Sequence, residues 1–410
     1  MKVLILTQYF PPETGAPQNR LFELALHLKQ RCDRVDVLTA FPHYLRNGLD
    51  PTHKGKWFLK DSLQGLTVYR SYVYAPTRQT IGARLLNYFS FCFSSLYNGL
   101  FKLGQYDWII CESPPLFLGV TAVLLKKGKR AKLNFNVSDL WPESAEKLGI
   151  IRNRFILKLA GGIEEWIYRC SDSISGQTQG IVANIAARFP NKKIFWLRNG
   201  IDIDTFKSFL TQRDWRKEAG FTPDDIIVYY GGLMGHAQGL NTILLAAQQC
   251  RELSRLKFIL VGEGPEKESL VRTSVELELK NVEFLNGIPR NQLADVIGAI
   301  DIVIVPLKKL DLFLGAIPSK IFEALAMNKP VILGVDGEAK ELFVNQGKCA
   351  VFYTPESEYE LATQIKLLSA DKSLRSRLGE NGYTYVKTYF DREKISEDFL
   401  HFLVNNNGRH

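Results

Sequence analysis

The residues between Pro318 and Glu323 have the types and the spacing of a nucleotide-binding turn. Ser319 and Lys320 open an apolar helical stretch, so free backbone N–H groups and the lysine cation could hold a phosphate. Glu323 lies one helical turn further, where its carboxylate could accept two hydrogen bonds from a ribose diol. A phosphate site next to a ribose site would suit a nucleoside diphosphate. Ser319 as a plain helix cap and Glu323 as a solvated surface residue fit the same spacing, and both interpretations stay open.

A second candidate group lies in the first half of the chain. Asp139 follows a strand-like run and is close to Trp141, Pro142 and Glu143. A carboxylate at a strand end, beside an aromatic side chain, could orient or deprotonate a hydroxyl group. Asp139 and Glu143 are therefore the catalytic candidates. Pro142 also suits the first turn of a helix, for which Asp139 would be the cap.

Several other kinds of site are disfavoured. The sequence has no G-x-G-x-x-G after its first strand, no G-x-x-x-x-G-K-[ST] and no G-x-S-x-G. The six cysteines form no C-x-x-C, and the histidines have no metal-ligand spacing. Asp202-Ile203-Asp204 could hold a divalent metal, but its position after an Asn-Gly turn favours turn and capping chemistry. No metal and no cofactor are predicted.

Strand-like runs alternate with glycine- or proline-containing turns and helical runs through both halves of the chain. This rhythm predicts an α/β protein with two doubly wound, Rossmann-like domains facing a cleft. Residues 1–198 form the first domain, residues 199–384 the second, and residues 385–410 a helix that crosses back. Ligands bind such sheets at the carboxyl ends of the strands. In the second domain these ends carry glycines or Asn286-Gly287.

The charge is unevenly distributed along the 410 residues. Residues 1–200 carry 27 Lys and Arg against 14 Asp and Glu, whereas residues 201–410 carry 25 against 29. A basic half indicates an anionic partner: nucleic acid, an acidic membrane surface or a pyrophosphate-bearing substrate. A chance difference between solvated surfaces remains open.

Residues 85–103 are rich in aromatic side chains and contain one lysine but no acidic residue. They are too polar for a confident membrane span but suit an element that lies in the membrane interface. Basic residues nearby could reinforce such docking, namely Arg78, Arg84, Lys102, Lys126, Lys127, Lys129, Arg130 and Lys132. A buried helix between the sheet and its neighbours is the alternative.

Several motifs together resemble the group 1 (family 4) retaining glycosyltransferases of the GT-B fold. The matching pieces are Pro11-Pro12-Glu13-Thr14-Gly15, Asn199-Gly200-Ile201-Asp202 with Phe206, Gly231-Gly232 with Gln238-Gly239-Leu240, Val261-Gly262-Glu263-Gly264-Pro265, Phe284-Leu285-Asn286-Gly287 and Phe322-Glu323-Ala324-Leu325-Ala326 with Lys329-Pro330-Val331. Two further segments, Asp139–Ser144 and Pro318-Ser319-Lys320, resemble a bacterial surface-polysaccharide subgroup that includes N-acetyl-fucosamine transferases of O-antigen, capsule or colanic-acid assembly.

The resemblance implies a nucleotide-sugar site on the second domain and an acceptor site on the first. It implies that Glu323 holds the ribose and that the base lies near Asn286, Gly287 and Ile288. The implied diphosphate contacts are Gly15, the Gly231-Gly232 turn and the Pro318-Ser319-Lys320 turn, and Gly262 is a further substrate-binding candidate. The first glutamate of the family's E-x7-E motif is replaced by Gly315, and the usual phosphate-binding lysine by Gln238.

The expected activity is transfer of a sugar from a UDP-sugar to a polyprenyl-diphosphate-linked saccharide, with retention of anomeric configuration and without a bound metal. Such an enzyme would be cytoplasmic and peripheral at the inner face of the plasma membrane. A nucleotide-sugar 2-epimerase on the same scaffold is the alternative, although it needs no basic first domain. A nucleic-acid-binding protein is less favoured because no helix-turn-helix or aromatic RNA-binding motif is present.

Overall fold

The computed structural model describes residues 1–13, 15–43, 48–49, 51–75, 80–147, 151, 153–211 and 213–406. Thr14 of the first motif and Arg78 of the basic group lie outside the described residues. The chain divides into two units. Unit 1 comprises Met1–Asn199 together with Arg392–His410, and unit 2 comprises Gly200–Asp391.

Strands and helices alternate along almost the whole chain. The strands are β1 (Lys2–Leu6), β2 (Arg34–Ala40), β3 (Phe58–Leu63), β4 (Leu66–Ser71), β5 (Trp108–Ser113), β6 (Lys132–Val137), β7 (Ser173–Gly176), β8 (Lys193–Trp196), β9 (Ile226–Gly231), β10 (Leu256–Val261), β11 (Val282–Leu285), β12 (Ile302–Pro306), β13 (Val331–Gly334) and β14 (Ala350–Phe352).

The helices are α1 (Ala16–Arg31), α2 (Ile81–Lys102), α3 (Leu118–Lys129), α4 (Glu143–Lys147), α5 (Arg154–Cys170), α6 (Gln179–Arg188), α7 (Ile203–Ser208), α8 (Trp215–Glu218), α9 (Asn241–Gln248), α10 (Lys267–Glu276), α11 (Arg290–Ala299), α12 (Lys320–Ala326), α13 (Glu338–Lys340), α14 (Glu358–Ala370), α15 (Lys372–Tyr389) and α16 (Arg392–Asn405).

Unit 1 is built on an eight-stranded sheet in the order β3-β4-β2-β1-β5-β6-β7-β8. The strands are parallel except for β3, which pairs antiparallel with β4. Side chains alternate between the two faces of a strand. Leu4 and Leu6 of β1 therefore enter the core under α2, α3 and α5, whereas Val3 and Ile5 enter the core under α1 and α16. Both faces of the sheet are covered, as in a doubly wound fold.

Unit 2 contains a six-stranded parallel sheet in the order β11-β10-β9-β12-β13-β14. Its central strands are nearly continuous runs of Val, Ile and Leu, and β12 is buried along its whole length. Because all strands run the same way, their carboxyl ends meet at one edge. The predicted α/β class with two doubly wound sheets is confirmed.

Two features of the fold differ from the sequence predictions. The β3–β4 hairpin was not predicted, because its two-residue turn is Gln64-Gly65 rather than Asn-Gly or Asp-Gly. Both turn residues have positive φ, 47° for Gln64 and 75° for Gly65. The segment predicted to return to the first domain over residues 385–410 begins later: residues 385–389 complete α15, and the chain re-enters unit 1 at Arg392.

Helix α16 completes the second core of unit 1. Ile395, Phe399 and Leu403 are buried there among side chains of α1 and β1. Arg392 forms a buried ion pair with Glu23 and donates to Asn199 Oδ1 at 3.2 Å. Within the described part of the chain, no helix combines the length and the apolarity required to cross a bilayer.

Candidate functional site

Two glycine turns lie side by side at the carboxyl edge of the unit 2 sheet. The Gly232 N–H donates to the Val261 carbonyl at 2.9 Å, which ties the turn after β9 to the end of β10. A Cβ on Gly262 would lie 1.9 Å from the Gly232 carbonyl oxygen, so only glycine fits there. Both residues have positive φ, 134° and 150°. The edge therefore presents backbone where a ligand could approach closely.

Lys320 lies over these turns. Its Nζ is 4.2 Å from the centroid of the Tyr230 ring, and a Cβ on Gly232 would lie 2.9 Å from the same nitrogen. Burial lowers the pKa of Lys320 to about 8, and the charge of Glu323 partly offsets this shift. The structure thus brings together Gly232 and Lys320, which are predicted to contact a diphosphate, and Gly262, a further predicted substrate-binding residue.

Glu323 is half-buried on α12, one turn after Lys320. Its charge acts on Lys320 and on Tyr229, whose pKa is raised mainly by burial and further by Glu323. Ser319 precedes the helix, but its side chain makes no capping hydrogen bond, and α12 has only seven residues. Ser319 therefore does not cap α12 through its side chain.

The third turn of this edge follows β11, the strand beside β10. Lys267 Nζ donates to Asn286 Oδ1 at 2.8 Å and to Glu263 Oε1 at 2.9 Å. The Gly287 N–H also points to Glu263 Oε1, at 3.4 Å. Asn286 and Gly287 are exposed, and Ile288 is half-buried. The predicted base-binding residues are thus neighbours of the Gly262 turn on the same edge.

The carboxyl edge of the unit 1 sheet holds a buried polar network that sequence reasoning missed. Arg20 Nη2 lies 2.5 Å from Glu112 Oε1 and 2.9 Å from Ser138 Oγ. Asn136 Nδ2 donates to the other Glu112 oxygen at 2.6 Å. Arg20 and Glu112 are both about 5 % exposed. The signal available in the sequence was Arg20 itself, which directly precedes the apolar residues of the first helix.

Asp139 adjoins this network in sequence and is exposed after the end of β6. Its Oδ2 accepts a hydrogen bond from Ser144 Oγ at 2.8 Å, so the carboxylate steadies the short helix α4. Glu143 begins α4, is half-buried and forms an ion pair with Lys147 at 2.7 Å. Of the two predicted catalytic carboxylates, Asp139 lies closer to the buried polar network in the sequence, and Glu143 is held by a surface partner.

The turn before Gly15 is fastened at two points within unit 1. Arg70 Nη2 donates to the Pro11 carbonyl at 2.8 Å. The His43 N–H donates to Glu13 Oε1 at 2.7 Å, and both side chains are buried. Gly15 then directly precedes α1. Gly15 belongs to unit 1, whereas the other predicted diphosphate contacts belong to unit 2.

Three residues of the predicted basic group, Lys126, Lys129 and Lys132, make contacts within unit 1. Lys126 pairs with Asp172 at 2.7 Å, and Lys129 donates to the Leu100 and Leu103 carbonyls at 2.9 and 2.6 Å. Lys132 donates to the Asn406 carbonyl at 2.5 Å. Lys127 is exposed.

The Asp202-Ile203-Asp204 segment has a capping role. The Asp202 side chain accepts from the Thr205 N–H at 2.9 Å as the cap of α7, so the capping interpretation of this segment holds.

Comparisons with known proteins give a family match and similar folds. Residues 211–385 match the family described as Glycosyl transferases group 1. The chain is 24% identical over 426 aligned positions to the "Putative colanic acid biosynthesis glycosyl transferase WcaI" of Escherichia coli (strain K12), covering 99% of each chain. Sucrose-phosphate synthase of Thermosynechococcus elongatus matches with a TM-score of 0.73 and 17% identity, covering 98% of each chain.

A second solved structure is Anabaena HepE in complex with UDP-glucose. It matches with a TM-score of 0.70 and 19% identity, over 99% of this chain and 100% of that one. At such identities the likeness concerns the fold, and it confirms the predicted GT-B class.

Proposed function

We propose, from the match of residues 211–385 to the family described as Glycosyl transferases group 1, that the chain is a retaining glycosyltransferase of bacterial surface-polysaccharide biosynthesis. It moves a sugar from a UDP-sugar to a lipid-linked saccharide. The relative named for colanic acid biosynthesis supports the pathway class. The complex of HepE with UDP-glucose supports a uridine nucleotide as the donor.

The observation that carries the proposal is Lys320 over the Gly232–Gly262 contact, with Glu323 one turn away. The cation faces a glycine surface that a phosphate can approach, and it supplies the charge that Gln238 lacks. Glu323 offers a carboxylate to the ribose diol, and Asn286 to Ile288 line the neighbouring turn for the base. A charge-assisted hydrogen bond of this kind contributes roughly 1.5–3 kcal/mol.

In this proposal, unit 1 binds the acceptor. Asp139 orients the acceptor hydroxyl, and the leaving phosphate of the donor takes the proton, so no protein nucleophile is needed. The Arg20–Glu112 network fixes the strand ends that precede Asp139. Its role is to position the loop rather than to touch the substrate.

The enzyme works at the inner face of the plasma membrane, to which the basic unit 1 attaches peripherally. Lys127 is exposed on α3, and Lys102 is exposed at the end of α2. Basic residues near an anionic leaflet contribute roughly 1 kcal/mol each.

The proposal is tested by incubating the purified protein with a panel of UDP-sugars and a polyprenyl-diphosphate-linked saccharide. We expect one UDP-sugar to yield a lengthened lipid-linked product, with the α or β configuration of the donor preserved in its NMR spectrum. Glu323→Ala is the matched negative control because it removes the ribose contact and leaves unit 1 intact. Product formed only from GDP- or dTDP-sugars would contradict the donor assignment, and an inverted anomer would contradict retention.

A further inference from the structure

The outer surface of unit 1 carries an unusual concentration of exposed apolar side chains. They lie on α2, α3 and α5, three helices on the same face of the sheet. Eleven large apolar side chains there are at least 39% exposed, namely Leu85, Leu86, Phe89, Phe93, Tyr97, Phe101, Leu124, Phe155, Ile156, Leu159 and Trp166. An apolar surface of this extent marks a binding site rather than ordinary solvent exposure.

Helix α2 presents its aromatic side to solvent and its polar side to the protein. Asn87, Ser94 and Asn98 are buried. Asn87 accepts from Gln8 at 2.6 Å, Ser94 donates to the Tyr72 carbonyl, and Asn98 donates to Ser71 Oγ at 3.0 Å. Rolling the helix to hide its aromatic side would leave these buried polar groups unpaired, at considerable cost. The outward aromatic stripe is therefore built into the fold.

A cavity of about 820 Å³ opens among the three helices. This volume is within the ~300–1,000 Å³ typical of ligand pockets. Its lining is almost entirely apolar, with Phe93 and Leu159 on opposite helices and Val120 between them. A neighbouring cavity of about 550 Å³ shares Val120 and Leu159 and extends to Trp166. Together they form a continuous apolar groove.

The groove begins at the edge where the acceptor residues lie. Trp141, two residues after Asp139, lines one end of the cavity and contacts Phe117 with 5.8 Å between ring centroids. Helices α2 and α3 connect parallel strands, so each begins at the carboxyl edge and runs away from it. The stripe from Leu85 to Phe101 then extends for about 24 Å along α2. The groove therefore suits a ligand whose polar head lies near Asp139 and whose long apolar tail follows the stripe along α2.

The charge around the groove identifies the kind of ligand. Helices α2 and α3 contain no Asp or Glu, and the two acidic residues of α5, Glu164 and Glu165, form ion pairs with Arg188 and Arg169. Exposed cations lie on the three helices, namely Arg84, Lys102, Lys127, Arg154 and Lys158. A symmetric dimer through this face would bring like charges together, which is unfavourable. An anionic amphiphile would meet both the cations and the apolar lining.

We propose that the groove between α2, α3 and α5 binds the isoprenoid chain of the diphosphate-linked acceptor. This inference rests on the proposed function for the identity of the acceptor, but it assigns a different part of the molecule. The sugar and diphosphate lie at the Asp139 end, and the chain follows the aromatic stripe. The enzyme thereby recognises the lipid itself and not only the saccharide.

The test compares two probes with the same head and different tails, geranyl diphosphate (ten carbons) and geranylgeranyl diphosphate (twenty carbons). Binding to the full chain is measured in solution by fluorescence titration. We expect the wild-type protein to bind the longer probe at least tenfold more tightly. Phe93→Asp and Leu159→Asp should each reduce that preference to less than threefold. Both side chains are well exposed, at 65% and 59%, so the variants should fold.

Val275→Asp is the matched control, because Val275 is 72% exposed in unit 2 and should leave the preference unchanged. Equal affinity of the wild-type protein for the two probes would overturn the proposal. So would groove variants that alter the oligomeric state but keep the chain-length preference. UDP binding is measured in parallel: its absence would count against the proposed function and leave the lipid result standing.

Discussion

The carboxyl edges of the two sheets differ in what occupies them. In unit 1 the edge is filled by side chains that bind one another, with Arg20, Glu112 and Ser138 within 2.9 Å of their partners. In unit 2 the edge is glycine backbone with Lys320 above it. A filled edge holds neighbouring loops still, whereas an open edge leaves room for a ligand's phosphates. The difference agrees with the proposed roles, in which unit 1 positions the acceptor and unit 2 binds the donor.

The sharpest test of this division is Asp139→Asn. We expect turnover to fall by roughly 10²–10⁴-fold, because the substitution removes a carboxylate from the acceptor hydroxyl. UDP affinity, measured by calorimetry, should change less than twofold. Ser144→Ala is the control, since it removes only the hydrogen bond to Asp139. Normal turnover with lower thermal stability would return Asp139 to the role of a helix cap.

Arg20→Ala should affect stability rather than nucleotide binding. It leaves Glu112 buried without its cation, which costs roughly 3–5 kcal/mol. Hydrogen exchange of the β5 and β6 amides should accelerate accordingly. The double variant Arg20→Met/Glu112→Leu should recover much of the protection, because it removes both charges. Unchanged exchange in Arg20→Ala would show that the network does not hold this edge.

Glu323→Ala should have the converse effect to Asp139→Asn. Loss of a charge-assisted acceptor from the ribose weakens UDP binding by about tenfold to a hundredfold. Calorimetry with UDP and with 2′-deoxy-UDP measures the effect, and the variant should no longer distinguish the two. Unchanged UDP affinity in a folded variant would leave Glu323 as a helix surface residue.

Lys320→Ala should weaken UDP more than UMP, by several-fold to about tenfold, because the proposed site pairs this lysine with the outer phosphate. With the pKa of Lys320 near 8, its cation is lost as the pH rises through that value. UDP affinity should therefore decline above about pH 8 in the wild type and stay level in the variant. Calorimetry from pH 7 to 9.5 measures this; equal losses for UMP and UDP would contradict a diphosphate contact.

The same shift bears on stability. The ordinary pKa of lysine is 10.5, so between about pH 8 and 10.5 the unfolded chain binds more protons than the folded one. The contribution of Lys320 to the free energy of unfolding therefore rises with pH across that window. The contribution of Lys320 to stability is thus smallest at lower pH. There the lysine is charged and its cation is available for a phosphate.

Attachment to vesicles should show the smallest effects. Replacing Lys126 and Lys129 would break internal bonds, so Lys127→Glu and Lys158→Glu are the informative changes. Each should weaken binding to anionic vesicles by at least fivefold, because loss of the cation removes about 1 kcal/mol of attraction and the new carboxylate adds repulsion. Lys217→Glu in unit 2 is the control. Retention of the wild-type protein in the supernatant at low salt, with anionic vesicles present, would rule out docking.

The sequence predicted the sheets well because parallel strands are long apolar runs with clear ends. It also placed Gly232, Gly262, Lys320 and Glu323 in one region, since each follows a strand or opens a helix at the same edge. The Arg20–Glu112 network was not predictable from local pattern, because its members are 92 residues apart. The hairpin at Gln64-Gly65 was missed for a local reason, a turn dipeptide outside the commonest set.

The orientation of α2 was the prediction that depended most on tertiary context. Its sequence allowed either a buried helix or an interfacial one. The helix is oriented by Asn87, Ser94 and Asn98, which face the protein. Their hydrogen-bond partners are Gln8, Tyr72 and Ser71, respectively. Aromatic residues alone indicate only that a helix has a strongly apolar side. Which side faces inward depends on where the polar groups find partners.

The return of α16 to unit 1 sets an order of events during translation. Unit 2 is one continuous segment, Gly200–Asp391, and can fold as soon as that segment has left the ribosome. Unit 1 is synthesised earlier but lacks Phe399 and Leu403 of its second core until α16 emerges. The half of the protein made first is therefore the half finished last. Until α16 emerges, the apolar side chains of β1 and α1 lack the residues that cover them.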